Sequence, residues 1–343
     1  MRLDVQAIDS LEGMKTIESE WREVWRRDAA ATPFEGPDWL LPWTRWLWGG
    51  GKLRVLAIRN RREMVAVAPF FLWGYGGKPA IIRVSFLGAG ITDHLGMAAA
   101  PGFELQAASA VYEHLAGMAD EWQACDLQEL RPGSPLLCAE APAGLTLQEA
   151  PCGVCPVLSL PKSPEELLAA LDAKFRRNLK VADSRLEREG AAFERVAPGD
   201  CREAMEALIR LHEARWRERH EPGMLASGAL QNFHLDAGPR LAAQGLVRLY
   251  TLRIGGEIIA VQYNLWRDGR VYAYLSGFEP AHQRSSPGAA LLAFSIRCAI
   301  EEGATEFDFL RNREGFKYQW GARDRVNRKL IVQHSTARVR DVA

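Results

Sequence analysis

The sequence predicts an α/β protein made of two similar domains, each a mixed sheet flanked by helices. Three observations lead there. The chain has 343 residues, room for roughly two domains of about 150 residues each. The order helices, three strands, helix, strand occurs twice. The letters repeat as well: at an offset of 194, "LRVLAIRNRREMVAVAPFFL" lies over "VRLYTLRIGGEIIAVQYNLW". Arg54/Arg248, Arg59/Arg253, Glu63/Glu257, Ala66/Ala260 and Val67/Val261 are identical, and shared order plus shared letters point to duplication. The two halves, 1–150 and 151–343, meet in the Pro-rich stretch 131–160.

Taken in order, Met14, Ile17, Trp21, Val24 and Trp25 fall at helical spacing and predict a helix over 14–30. Trp39, Leu40, Trp43, Trp46 and Leu47 share one face of a second helix, stopped by three glycines. With no strongly basic opposite face, this stripe reads as core rather than as a membrane surface. Strands follow over 53–60, 63–73 and 80–88, then a helix over 103–119 and a strand over 125–130. In the second half Ser163, Pro164 and Glu166 form a capping box. It opens one helix with Leu168, Leu171, Phe175, Leu179, Ala182 and Leu186 inward, ending at Gly190. A helix near 200–219, three strands, a helix over 288–302 and the strand "EFDFL" complete the order.

Lys+Arg and Asp+Glu are equal at 43 each, which argues against DNA as a partner. No run of about 18 uncharged apolar residues predicts a membrane span, and the N-terminal stretch has no secretory pattern. The expected location is the cytoplasm, at or near the inner face of the membrane. Six cysteines in a chain this long do not make a disulfide framework. Cys152-Gly-Val-Cys155 has no second pair or nearby histidine, so no metal site is expected.

The stretch "HQRSSPGAALLAF" carries the chemistry. A strand, a short loop and a helix place Arg284, Ser285, Ser286, Gly288 and Ala289 at a helix N-terminus, where exposed N–H groups and the dipole favour an anion. The same Ser-Pro pair also reads as a plain cap, as it does at 163. His212, with Arg215 and Trp216 about one turn on, reads either as a base or as a structural hydrogen-bonder. Asp308, Arg311, Glu314 and Lys317 cluster after "FDFL", and Asp93-His94 is a polar pair or a turn. The basic run Lys174, Arg176, Arg177, Lys180, Arg185 and Arg188 is a solvated face or meets an anionic acceptor.

Several motifs together resemble the GNAT acyltransferase superfamily, in the branch of the CelD-type acetyltransferases and the Fem aminoacyl transferases. They are Ser285-Ser286-Pro287-Gly288, the run from Asp308 to Trp320, "KFRRNL", "TPFEGPDWL" and "DHLG". The resemblance implies two tandem GNAT-like domains, the first degenerate and the second catalytic. It implies acetyl-CoA or a longer acyl-CoA as co-substrate, its pyrophosphate on Arg284, Ser285, Ser286, Gly288 and Ala289, its pantetheine arm along the strand with Leu275 and Gly277. His212, Asp308, Glu314 and Lys317 are then the catalytic candidates, and Asp93, His94, Arg215, Trp216 and Arg311 the acceptor-binding ones. The acceptor is a small molecule or a lipid- or sugar-linked precursor of the envelope or an exopolysaccharide. The superfamily pattern has glycine where this chain has Pro287, which removes one N–H donor. An aminoacyl-tRNA donor and a non-catalytic binding module are the alternatives. The absence of a long heptad segment favours acyl-CoA over aminoacyl-tRNA.

Overall fold

The structure, a computed structural model, describes residues 2–75, 81–218 and 223–335. The chain divides into two compact units, Met1–Gly153 with Val326–Ala343, and Val154–Arg325. In chain order the elements are β1 (Asp4–Ile8), α1 (Leu11–Thr16), α2 (Glu18–Arg27), α3 (Pro37–Trp46), β2 (Lys52–Asn60), β3 (Glu63–Tyr75), β4 (Ile81–Phe86), β5 (Ala98–Ala99), α4 (Glu104–Gly117), β6 (Ala124–Leu130), α5 (Pro135–Cys138) and β7 (Leu145–Ser159). They continue as α6 (Pro164–Ala170), α7 (Ala173–Arg188), β8 (Ala192–Arg195), α8 (Cys201–Glu218), α9 (Gly228–Ala243), β9 (Val247–Ile254), β10 (Glu257–Arg267), β11 (Arg270–Phe278), α10 (Pro287–Glu301), β12 (Glu306–Asp308), α11 (Gly315–Gln319) and β13 (Arg323–His334).

In the first unit β1 to β4 pair antiparallel in sequence order, β6 joins β4 in parallel, and β13 closes on β6. In the second, β8 to β11 pair antiparallel, β12 joins β11 in parallel, and β7 closes on β12. The duplication extends to a defect. Ile58 faces Ala66 and Arg59 faces Met64, so Val65 is an extra, bulged residue. Leu252 faces Ala260 and Arg253 faces Ile258, so Ile259 is bulged in the other unit, 194 residues later. Each sheet buries an apolar face: Phe70, Phe86 and Tyr112 in one unit, Val271, Ile296 and Phe307 in the other.

Several expected elements differ. The predicted 163–190 helix is two helices, because Leu171 is extended and Asp172 starts a new one, its carboxylate accepting from Lys174 N and Phe175 N. The Ser163 cap itself forms, accepting from Glu166 N at 3.2 Å. The stretch 145–159, read as linker, is the long strand β7, and β1, α9 and β13 were not predicted. The Trp39 and Trp43 rings are buried as expected, but Trp46 is exposed.

Glu35, in "TPFEG", is buried and accepts from both the backbone and hydroxyl of Thr32 in a capping box. Burial pushes its carboxyl up to about 7. The folded chain therefore holds a proton that the unfolded chain loses near pH 4.5. The contribution of Glu35 to stability is fully present below that pH and is lost as pH rises to about 7 and above, on the order of 3 kcal/mol in all. Urea melts at pH 5 and pH 8 are expected to show this loss in the wild type and to lack it in Glu35→Gln.

Candidate active site

Within the second unit, β11 and β12 pair only at Arg270–Glu306, Val271–Phe307 and Tyr272–Asp308. β12 then stops, while β11 runs on to Phe278 paired on its other side with β10. From Ala273 onward no strand pairs with its β12-side edge among the described residues, and this is the gap between the two strands. Leu275 lies half-buried on this edge and Gly277 is buried. A Cβ on Gly277 would stand 3.0 Å from His212 N and 3.1 Å from Leu211 Cβ, so glycine lets α8 cross tightly over β11.

Past β11, a 3₁₀ turn leads to Ser286, which is left-handed at φ 53 and holds the N-cap position of α10 without a side-chain capping bond. Pro287 supplies the fixed φ of the first helical residue but no N–H. Gly288 packs under the Phe278 ring, where a Cβ would come within 3.2 Å. Ala289 is exposed. The helix mouth thus offers the N–H groups of Gly288 and Ala289, first-turn donors without intrahelical acceptors. Arg284 is exposed beside them, and its carbonyl accepts from Arg185 Nη1 at 2.7 Å.

Ser285 differs from its expected use. It is buried, and its hydroxyl donates to Glu189 Oε1, while His282 Nδ1 stands 3.2 Å from Glu189 Oε2. The bonds from Ser285 and then His282 hold the Glu189 carboxyl below the usual carboxylate range. Ser285 therefore ties the loop to the end of α7 through a carboxylate.

His212 is buried on α8, and its Nε2 accepts from Trp216 Nε1 at 3.0 Å. An indole N–H only donates, so the imidazole proton sits on Nδ1 and the Nε2 lone pair is occupied. Arg215 is on the same helix, but its side chain lies outside the described residues.

Asp308 ends β12 fully buried, with Oδ1 accepting from Leu310 N at 2.8 Å and Oδ2 from Arg325 Nη2 at 3.0 Å. Lys317, also buried, donates to the carbonyls of Leu310, Arg311 and Asn312 at 3.1, 2.6 and 3.0 Å and pairs with Glu314 at 2.7 Å. Leu310 and Asn312 have φ of 58 and 81, so the loop carrying half-buried Arg311 is bent and Lys317 pins it. An ammonium has three hydrogens, and all are engaged here. The orientation of an anionic acceptor by Lys317 stays a proposal, with the ammonium held on the loop in this arrangement. Asp308 and His212 also do not meet across one reaction centre. Asp308 is level with Tyr272 and His212 crosses at Gly277, about 16 Å further along β11 at the usual rise of a strand.

Sequence reasoning missed His234 of α9, which is buried with ring contacts to Tyr263 and Tyr274 at 6.1 and 5.5 Å. Burial, with His212 nearby, lowers its pKa to about 3, so its imidazole is neutral at working pH. Pro239 and two glycines inside α9 hid this segment from helical reading, although tyrosines alternating along β11 were visible.

Asp93 and His94 belong to the first unit. His94 is fully buried, and Asn327 Nδ2 stands 3.3 Å from its Nδ1 while donating to Asp93 O and Glu129 Oε2, both at 2.8 Å. Glu129 is a buried bulge residue of β6 with φ 56. No local pattern marked it.

No curated protein matches the chain in sequence. The profile of a family described as acetyltransferase (GNAT) domain matches residues 173–318. Residues 173–318 form a GNAT domain. The GNAT domain runs from the start of α7 into α11 and so contains both the α10 mouth and the β11–β12 gap. Among solved structures, FemX is similar at 12% identity and TM-score 0.67, over 95% of this chain and 96% of that one. The C-terminal domain of a putative lysylphosphatidylglycerol synthetase from Agrobacterium fabrum is similar at 14% identity and TM-score 0.58, over 93% and 92%. L-PGS from Bacillus licheniformis is similar at 14% identity and TM-score 0.54, over 88% and 93%. At such identities the likeness is one of fold, and it extends beyond the GNAT domain over most of the chain. The match over residues 173–318 supports a transferase activity for that domain.

Proposed function

We propose that the second unit moves an acyl group from an acyl-CoA to an amine or hydroxyl of a lipid- or sugar-linked envelope precursor. The gap between β11 and β12, opening beside the mouth of α10, carries this reading. A thioester laid in the gap meets the β12-side edge of β11, and the pyrophosphate reaches the Gly288 and Ala289 N–H groups. Edge N–H groups polarise the thioester carbonyl. The acceptor attacks the carbonyl carbon, its new bond replaces the C–S bond, and the thiolate takes up the proton that the acceptor releases. His212, Asp308 and Glu314 remain the candidates for that proton transfer, with Asp308 having to leave its pair with Arg325 first. Arg215, Trp216 and Arg311 remain the acceptor-binding candidates of the second unit.

The resemblance to the Fem branch keeps an aminoacyl donor as the second reading, and Pro287, which withdraws one N–H from the mouth of α10, is the observation that favours it. Among the described residues no helix is long and apolar enough to cross a membrane. A lipid acceptor would therefore be met at the membrane surface, with the exposed Lys174, Arg177 and Lys180 of α7 attracting anionic head groups. A thermal-shift panel of acetyl-CoA, long-chain acyl-CoAs and UDP-sugars tests the donor. An acyl-CoA held only by the native state must raise the midpoint, by about 2.7 kcal/mol of stability at a hundred times its Kd. No shift with any acyl-CoA would count against the donor assignment.

A further inference from the structure

We propose that Glu189, at the end of α7, is a positioning residue for the donor. Its carboxylate clamps the loop before α10 in the arrangement that presents the Gly288 and Ala289 N–H groups to a pyrophosphate. The loop runs from Pro280 to Ser286, between the end of β11 and the first residue of α10. Two side chains one turn apart on α7 hold it. Arg185 Nη1 donates to the Arg284 carbonyl at 2.7 Å. Glu189 accepts the Ser285 hydroxyl on Oε1, and His282 Nδ1 stands 3.2 Å from its Oε2. Three of the six residues of the 3₁₀ turn are thus gripped from outside. The inference rests on the donor site proposed at the mouth of α10.

The loop needs an outside grip. Its backbone bonds are those of a short 3₁₀ turn, among them His282 N to Glu279 O and Ser286 N to Gln283 O, both 3.0 Å. Such a turn has poorer hydrogen-bond geometry than an α-helix. Ser286 then takes the left-handed conformation, φ 53, which a residue with a side chain rarely adopts, and no side-chain bond caps the helix there. A loosened loop lets Ser286 leave that conformation and carries the first turn of α10 with it. The Ser285 and His282 bonds hold the Glu189 carboxyl ionised, so it only accepts, and both partners aim a hydrogen at it. The buried Ser285 hydroxyl is therefore committed to α7 and not left for a phosphate. The sign of the effect separates a clamp from a bare charge. A carboxylate beside an anion site repels the anion, so on electrostatics alone its removal tightens pyrophosphate binding. A clamp predicts the reverse. Arg185 gives no such contrast, because its loss removes a cation and a grip together.

Isothermal titration of the full chain with CoA and with inorganic pyrophosphate reads that sign. Glu189→Ala is expected to weaken both by about tenfold, the result of leaving the competent loop about one-tenth populated. Ser285→Ala, which cuts the same bond from the loop side, should weaken both as well. The double variant should lose no more than the larger single loss, since the two changes remove one shared bond. Glu189→Gln, whose amide oxygen still accepts the Ser285 hydroxyl, should restore the affinity. Hydrogen exchange of the apo protein reads the clamp without ligand: amides of 280–289 should exchange faster in Glu189→Ala, and those of β9 and β10 should not change. Unchanged or tighter binding in a folded Glu189→Ala variant, losses that multiply in the double variant, or unchanged exchange of the loop would each overturn the proposal. Wild-type protein that binds neither CoA nor pyrophosphate removes the donor site and this proposal with it. Wild-type binding with an indifferent Glu189→Ala variant sinks the clamp alone.

Discussion

Replacing Ala289 by glutamate is expected to weaken acyl-CoA binding by at least about tenfold, or 1.4 kcal/mol, while the protein stays folded. Ala289 is exposed in the first turn of α10, at one of the two N–H groups left to a pyrophosphate beside Pro287. A carboxylate there occupies the positive end of the helix itself and repels the ligand. For the apo protein the same charge is favourable by about 0.3–1 kcal/mol, so loss of fold is not the expected result. Gly288 is a poorer target, because any side chain there meets the Phe278 ring and mixes sterics with charge. Isothermal titration with CoA and acetyl-CoA, with Ala289→Gln as the neutral control, reads the effect. Wild-type affinity in a folded Ala289→Glu variant would move the anion site away from this helix.

Arg325→Leu is expected to destabilise the protein by about 3–5 kcal/mol, the usual cost of leaving a buried carboxylate without its partner. Asp308 has no exposed side-chain surface, and Arg325 bonds it while also holding Glu306 at 2.8 Å. In a unit of this size that loss should lower the midpoint by roughly 10 °C. Removing the charge as well, in Asp308→Leu with Arg325→Leu, should recover part of it. A loss under about 1 kcal/mol in the single variant would mean that Asp308 does not depend on this pair, and its candidacy as a base would strengthen.

The duplication was legible because both halves spell the same strands, and the shared bulge at Val65 and Ile259 shows that the correspondence reaches backbone detail. The α10 mouth was legible too, since Ser-Pro-Gly-Ala is a local signal. What failed was whatever depends on distant residues. Nothing near Ser285 announces Glu189, 96 positions earlier. Lys317 reads as a surface charge until the carbonyls of 310–312 turn toward it, a bend set by two left-handed residues with no glycine to signal it. Asp172 ended one helix and began another because its carboxylate competes for backbone N–H groups inside an otherwise continuous apolar pattern. β7 and β13 escaped because their partners are far away in sequence and their compositions are mixed.

The pairing of β6 with β13 has a consequence for synthesis. A ribosome makes β6 early, then the entire Val154–Arg325 unit, and only then the strand that covers it. Until that moment the nascent first half carries a bare edge, and the buried Glu129 carboxylate lacks the Asn327 amide that will bond it. The first unit therefore cannot complete its sheet before the second is made. The leading half completes its sheet last, and a fragment ending at Gly153 lacks the strand that covers β6.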